Sequence, residues 1–390
     1  MIKLAERMGR LGTESAFEVL AKAKALEAQG REIIHLEIGE PDFDTPQNII
    51  DAACKALNSG ATHYTNAQGI PELREVIAEH LGPVRNQTID PAQVVVTPGA
   101  KPIMFYIIMA LAEPGTEVLY PNPGFPIYES MINFMGAKAV PIPLLEEKGF
   151  RFDIDEFREL VTDRTRLVIL NSPQNPTGGA LELSDLQAVA EICAERDIPV
   201  LSDEVYEHIL YDGEFHSIAT LPGMSTSERT IILHGFSKTY AMTGWRLGYG
   251  VMPKDLAQHI TRLMVNSNSC TNAATQYAGI EALQGPQDSV KEMVQAFSER
   301  REVIVNGLNE LPGVSCVMPG GAFYVFPNIK GTGMTSAEAE AFFMDRAGVA
   351  CLSGAAFGKY GEGYLRLSYA NSIENIEKAL ASMGAALADL

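Results

Sequence analysis

An α/β architecture, with a mostly parallel sheet covered by helices and an α+β unit after it, is what this sequence predicts. Three observations carry the prediction. From Gln93 to Val251, short apolar β-branched runs alternate with helix-length segments, the pattern of a sheet buried on both faces. After Asn272 that alternation gives way to long helical stretches and isolated strands. At 390 residues, the chain can hide roughly 75% of the surface its unfolded form exposes.

The elements follow in order. A helix is expected over 13–29, closed by Gly30. A strand over 33–38 enters the turn Gly39-Glu40-Pro41, and helices cover 46–58 and 71–81. Strands are expected at 94–96, 117–120, 139–142, 167–170, 200–201, 231–233 and 249–251. Helices over 101–112, 125–135, 153–160 and 184–195 separate them. The remainder reads as a helix to 283, a long helix over 288–310, and strand-like pieces at 314–317 and 323–326. A helix near 337–346, a strand at 364–368 and a terminal helix over 373–387 complete it. The N-terminal segment 1–44 is expected to join 286–390 in a small domain, leaving 45–285 as the large one. In such sheets, functional residues gather at the carboxyl ends of the strands.

Composition narrows the function classes. A net charge of −19 offers no basic face for nucleic acid or an anionic membrane. A small anionic ligand is unaffected, because it responds to local charge. Residues 1–12 are mixed and charged without an apolar signal core, so a cytoplasmic setting is expected. The five cysteines are scattered, with no spacing that suggests a metal.

Four clusters carry candidate chemistry. NSPQNPTG at 171–178 follows a strand and by itself is a turn. DEVY at 203–206 puts a carboxylate at a strand's carboxyl end, or starts a helix. SKTYAMTGWRLG at 237–248 sets one Lys and one Arg among small, aromatic and apolar neighbours. A lysine in that setting can shed its proton and become a nucleophile. In YLRLSY at 364–369, Arg366 interrupts an alternating strand, as an inward carboxylate fork would or as an edge charge would.

Together these clusters resemble the class I/II aminotransferases, fold-type I pyridoxal-phosphate (PLP) enzymes similar to aspartate aminotransferase. The resemblance covers essentially the whole chain. It includes GEPDF at 39–43, Tyr64-Thr65 with Gly69, TPGA at 97–100, PNPGFPIY at 121–128 and PGGAFY at 319–324. The spacings from Asn175 to Asp203, Lys238 and Arg246 also look like that family. It implies a large domain with a mostly parallel mixed sheet, a small α+β domain built from both chain ends, and pyridoxal 5'-phosphate as cofactor.

The resemblance also implies roles. Lys238 forms the Schiff base and then moves the substrate α-proton. Asp203 holds the pyridine nitrogen, Tyr206 and Asn175 bond the ring's phenolate oxygen, and Phe125 stacks on the ring. Arg246, Gly99, Ala100 and Lys101 form the phosphate site, and Tyr64 reaches the phosphate of a second subunit, so a homodimer is expected. Arg366, Gly39 and Asn175 take the substrate carboxylate, and Phe17 walls the pocket. The reaction expected is transfer of an L-amino acid's amine to a 2-oxo acid in two half-reactions. Other PLP chemistries on this scaffold, C–S β-lyase or racemase, use the same residues and stay open. Gly235 stands where many relatives carry a phosphate-binding Ser or Thr, and Ser237 is a candidate replacement. The stretch 102–112 contains no charge, which favours an apolar or aromatic donor over aspartate.

Overall fold

A computed structural model of the protein describes residues 2–389. Near the N-terminus the chain forms helix Ala16–Glu27 and then β1 (Ile34–His35). The central sheet holds β2 (Val94–Thr97), β3 (Glu117–Asn122), β4 (Lys138–Pro143), β5 (Thr165–Asn171), β6 (Val200–Asp203), β7 (Thr230–Gly235) and β8 (Gly248–Val251). Its order is β2-β8-β7-β6-β5-β3-β4. Pairing is parallel from β4 through β7, and β8 is antiparallel to both β7 and β2. All seven expected strands are present, each near its expected place.

Alternate residues enter opposite layers, as a pleated strand requires. Val95, Leu167, Ile169, Ile231 and Leu233 pack with helices Lys101–Leu111, Pro126–Met135 and Lys254–Ser267. Val94, Val96, Ile232 and Val251 pack the other way, with helices Gln47–Asn58, Pro71–Val84 and Ala273–Gln284. Helix Lys254–Ser267 escaped the sequence reading. It buries only a narrow stripe, Ala257, Ile260 and Met264, and has no side-chain cap to announce it.

Both chain ends meet in a further core. β1 pairs in parallel with β10 (Val349–Ala350), next to an antiparallel group of β9 (Tyr324–Val325), β11 (Leu352–Ser353) and β12 (Leu365–Ser368). Leu36 joins Phe297, Phe323, Leu367 and Met383 in one core with helices Asp288–Asn309 and Ile373–Ala388. Three expectations need correction. The strand over 33–38 is only β1, because the chain then turns inward to Gly39. The piece at 314–317 makes a single bridge, Ser315 to Asn328, between Gly313 and Pro319. The first helix begins at Ala16, leaving Glu14 and Ser15 on the wall of the pocket described below. Among the described residues, no helix is long and apolar enough to cross a membrane.

Candidate active site

The site is built where β2, β5, β6 and β7 end, at Thr97, Asn171, Asp203 and Gly235. Gly248, the first residue of β8, is in register with both Gly235 and Thr97. The loop 236–247 therefore leaves and re-enters the sheet at this same edge. A parallel neighbour would need a long crossover. This loop is short, so β8 returns antiparallel and both cations of the loop, Lys238 and Arg246, stay at the carboxyl edge.

A cavity of about 580 Å³ opens there. Lys238 is half-buried on its wall, and its Nζ donates to the Gly39 carbonyl at 2.5 Å. Burial above all, then the charge of Arg366, lowers the Lys238 pKa to about 8. Asp203 is buried at the end of β6, and burial raises its pKa to about 6 against the opposing hydrogen bond from Tyr128. The Tyr128 hydroxyl donates to Asp203 Oδ2 at 2.5 Å. A carboxylate held up in this way favours a proton or a cation against it.

Arg246 adopts a left-handed backbone, φ 55°, and its Nη1 donates to the Thr243 carbonyl at 2.7 Å. A Cβ added to Gly99, φ 88°, would stand 2.3 Å from Arg246 Nη2, so only glycine lets the turn lie against the guanidinium. Helix Lys101–Leu111 starts at this turn without a side-chain cap. Its uncapped first turn and Arg246 thus place N–H donors and a cation side by side, the donor set that suits an anion.

Arg366 projects inward from β12 with 4% of its surface exposed. Its Nη1 donates to Asn175 Oδ1 at 3.2 Å, Nη2 donates to the Glu37 carbonyl, and Nε is buried without a partner. The Tyr324 ring lies 4.6 Å beneath its guanidinium carbon.

The fold brings Phe17, Gly39, Ala100, Lys101, Phe125, Asn175, Asp203, Tyr206, Lys238, Arg246 and Arg366 to one cavity wall. Gly99 lies behind Arg246 rather than on the wall, and Tyr64 is 90% exposed and away from it. Ser237 lines the wall beside Gly235. Lys101 is paired with Glu14 at 3.1 Å. Tyr128 and Tyr324 were not singled out from sequence. Both sit inside the motifs at 121–128 and 319–324, but a tyrosine's partner depends on which way its strand or helix faces.

Behind the site, Glu204 and Glu207 turn away from the cavity toward Arg85, which is 3% exposed. Arg85 Nη2 reaches Glu204 Oε2 at 2.7 Å and also pairs with Glu207. Glu207, His208 and His234 place three donor atoms within 4.8 Å of one another. The Gly235 N–H donates to His234 Nδ1 at 2.8 Å, which leaves the ring proton on Nε2, aimed at Glu207. Glu207 and His234 are buried in this ion cluster, His208 is exposed, and His234 Nε2 stands 3.5 Å from Glu207 without a hydrogen-bond partner.

The lowered Lys238 pKa has a direct test. Its neutral amine accumulates as pH rises through about 8, below the ordinary lysine range. Borohydride trapping with an aldehyde probe, read by peptide mapping, should label Lys238 with a midpoint near that pH while surface lysines wait for higher pH. A midpoint shared with the surface lysines would refute the desolvated environment.

A family model for class I and II aminotransferases matches residues 31–383. The chain belongs to the class I and II aminotransferases. It is 44% identical to an aspartate aminotransferase of Pyrococcus abyssi over 90% of this chain and 91% of that one. It is 42% identical to an aromatic-amino-acid aminotransferase of Thermococcus litoralis over 91% and 92%. The solved aspartate aminotransferase of Thermus thermophilus with maleate superposes with a TM-score of 0.94 at 35% identity, covering 99% of this chain and all (100%) of that one. This aminotransferase is thus an enzyme of amino-group transfer, with the fold of its solved relatives.

Proposed function

We propose that this aminotransferase uses pyridoxal 5'-phosphate and carries it on Lys238. One observation supports this above the others: a lysine amine lowered to about 8 shares a cavity with a buried, raised carboxylate and two arginines. When bound, the cofactor supplies an aldehyde for the amine and a ring that accepts electrons. The cavity fits it, because each of its ionic groups meets an opposite one. Asp203 would hold the proton on the pyridine nitrogen, and the ring's charge would in turn stabilise the carboxylate. Arg246, with the N–H groups of Ala100 and Lys101, would hold the phosphate. Tyr206 would donate to the phenolate oxygen, and Phe125 would bound the ring face.

Arg366 presents its unpartnered N–H to the substrate α-carboxylate, with Asn175 keeping the fork oriented. The Gly39 carbonyl, already within reach of Lys238 Nζ, positions the amine that takes the α-proton. Proximity supplies most of the advantage of that step.

For the amino donor we infer an apolar or aromatic side chain. Phe17, Met104, Phe125, Leu352 and Phe357 line the wall, and Lys101 is already paired with Glu14. An unpaired distal carboxylate would be costly against that surface. We infer a cytoplasmic homodimer as the setting, supported by five free cysteines and by the exposed Tyr64. We also propose the division into 1–44 with 286–390 and 45–285.

The test is a half-reaction screen. With no acceptor present, each amino acid is mixed with the PLP-loaded protein, and cofactor absorbance and 2-oxo acid are followed. Aromatic or branched donors should react at least about tenfold faster than aspartate, one extra buried charge being ample for such a margin. Faster reaction with aspartate would overturn the donor assignment. Ammonia and pyruvate from a sulfur amino acid would identify a lyase instead.

A further inference from the structure

Tyr206 and Tyr324 are both buried, at 3% and 1% exposed, on opposite domains of the sequence's division. Their hydroxyls are 2.8 Å apart. Tyr324 ends the motif at 319–324 and opens β9, and its ring is sandwiched between that contact and the Arg366 guanidinium, 4.6 Å away. A Cβ on Gly39 would stand 2.2 Å from the Tyr324 hydroxyl, so residue 39 must be glycine for the hydroxyl to reach this place. The Lys238 amine lies 5.9 Å from the Tyr206 ring centre and 5.7 Å from that of Phe323, the neighbour of Tyr324.

Two phenols that bond each other share one proton between their oxygens, and the other proton is free to point elsewhere. Tyr206 is the member facing the phenolate position, under the reading proposed above, on which this inference rests. A phenolate is the stronger, charge-bearing acceptor, so the Tyr206 proton goes to it. Tyr206 must then accept from Tyr324. We propose that Tyr324 is a positioning residue that fixes the direction of the Tyr206 hydroxyl, completing a chain Tyr324–Tyr206–phenolate, and that the same ring holds Arg366 in its carboxylate-binding orientation. One side chain thus ties the electronic tuning of the cofactor to the carboxylate fork. The titratable groups facing the pair are Lys238, Asp203, Arg366 and Glu14. Bonds in such a chain polarise one another, so removing the outer member weakens the inner bond.

The test uses the full-length protein loaded with pyridoxal phosphate, and reads the pH midpoint of the cofactor's visible absorbance together with the dissociation constant for the cofactor. Tyr324→Phe keeps the buried ring and the shelf under Arg366. It should raise the midpoint by about half a pH unit, because a less stabilised phenolate holds its shared proton more tightly. Tyr206→Phe should raise it further. Tyr324→Phe added to Tyr206→Phe should then move it by no more than about a tenth of a unit, since the chain is already cut. An unchanged midpoint in Tyr324→Phe, or an equal shift in both backgrounds, overturns the inference. If the wild-type protein shows no titratable band, or Lys238→Ala shows the same one, the cofactor reading itself fails and not merely the role of Tyr324.

Discussion

Lys238→Ala should lower the transamination rate by at least about a thousandfold, with the protein still folded. Under the proposed function the amine both carries the cofactor and moves the α-proton, and general base catalysis alone contributes about 10² to 10⁴. Positioning adds to that, because the Gly39 carbonyl holds Nζ at 2.5 Å on the cavity wall. Stability should not fall in parallel. Burial disfavours the charged lysine in the fold, as its pKa of about 8 records. The sign follows from linkage. Between about 8 and the unfolded lysine value the unfolded chain binds more protons, so wild-type stability rises with pH across that window. Removing the amine should abolish this rise. Lys238→Arg makes a second arm, retaining positive charge without an available neutral amine, and should be as inactive as the alanine variant. Steady-state rates on the best donor, alongside urea unfolding at pH 7 and 9.5, check all three outcomes. Activity within about tenfold of wild type in either variant would remove Lys238 from the mechanism.

Arg85→Met should cost the fold about 3–5 kcal/mol, although Arg85 touches nothing in the cavity. The guanidinium joins two carboxylates, Glu204 at 1% and Glu207 at 7% exposure, and deleting it leaves both charges buried against each other. Ser202 and Ser217 donate to Glu204 Oε1 at 2.8 and 2.5 Å, but hydroxyl dipoles do not replace a full charge. Burial works to raise the Glu207 carboxyl pKa while His234, His208 and Arg85 hold it down, so losing Arg85 should raise it relative to wild type. The variant's folded state then binds more protons than that of wild type, so the loss should shrink as pH falls from 7 toward 5. Adding Glu204→Gln and Glu207→Gln should recover most of it, because neutral amides tolerate burial better than unpaired charges. Denaturant unfolding of the single and triple variants reads the difference. A single variant as stable as wild type would mean that the cluster is hydrated and weak.

The two predictions mark different depths of legibility. The lysine was legible, since a lysine and an arginine set among aromatic, small and apolar neighbours fit a solvated surface poorly. The ion cluster did not. Arg85 stands in an ordinary polar stretch after Pro83, and nothing local links it to a glutamate more than a hundred positions away. The same contrast separates the elements. The inner sheet strands were readable because a stretch buried on both faces must be largely apolar. Helix Lys254–Ser267 was not, because its thin apolar stripe competes with a polar surface.

The sequence by itself determined the alternation of strand and helix, and it offered Asp203, Lys238, Arg246 and Arg366 as candidates in that order along the chain. Periodicity and residue chemistry are local properties, and they survive without a fold. Only the tertiary structure decided which of those groups face one another. It seated Arg366 from β12 beside Asn175 from the loop after β5, stacked Tyr324 beneath it, and sent Glu204 and Asp203 to opposite sides of one strand end. Facing is set by register and by which layer a strand abuts. Both depend on contacts between residues far apart in the chain, and no local pattern encodes them.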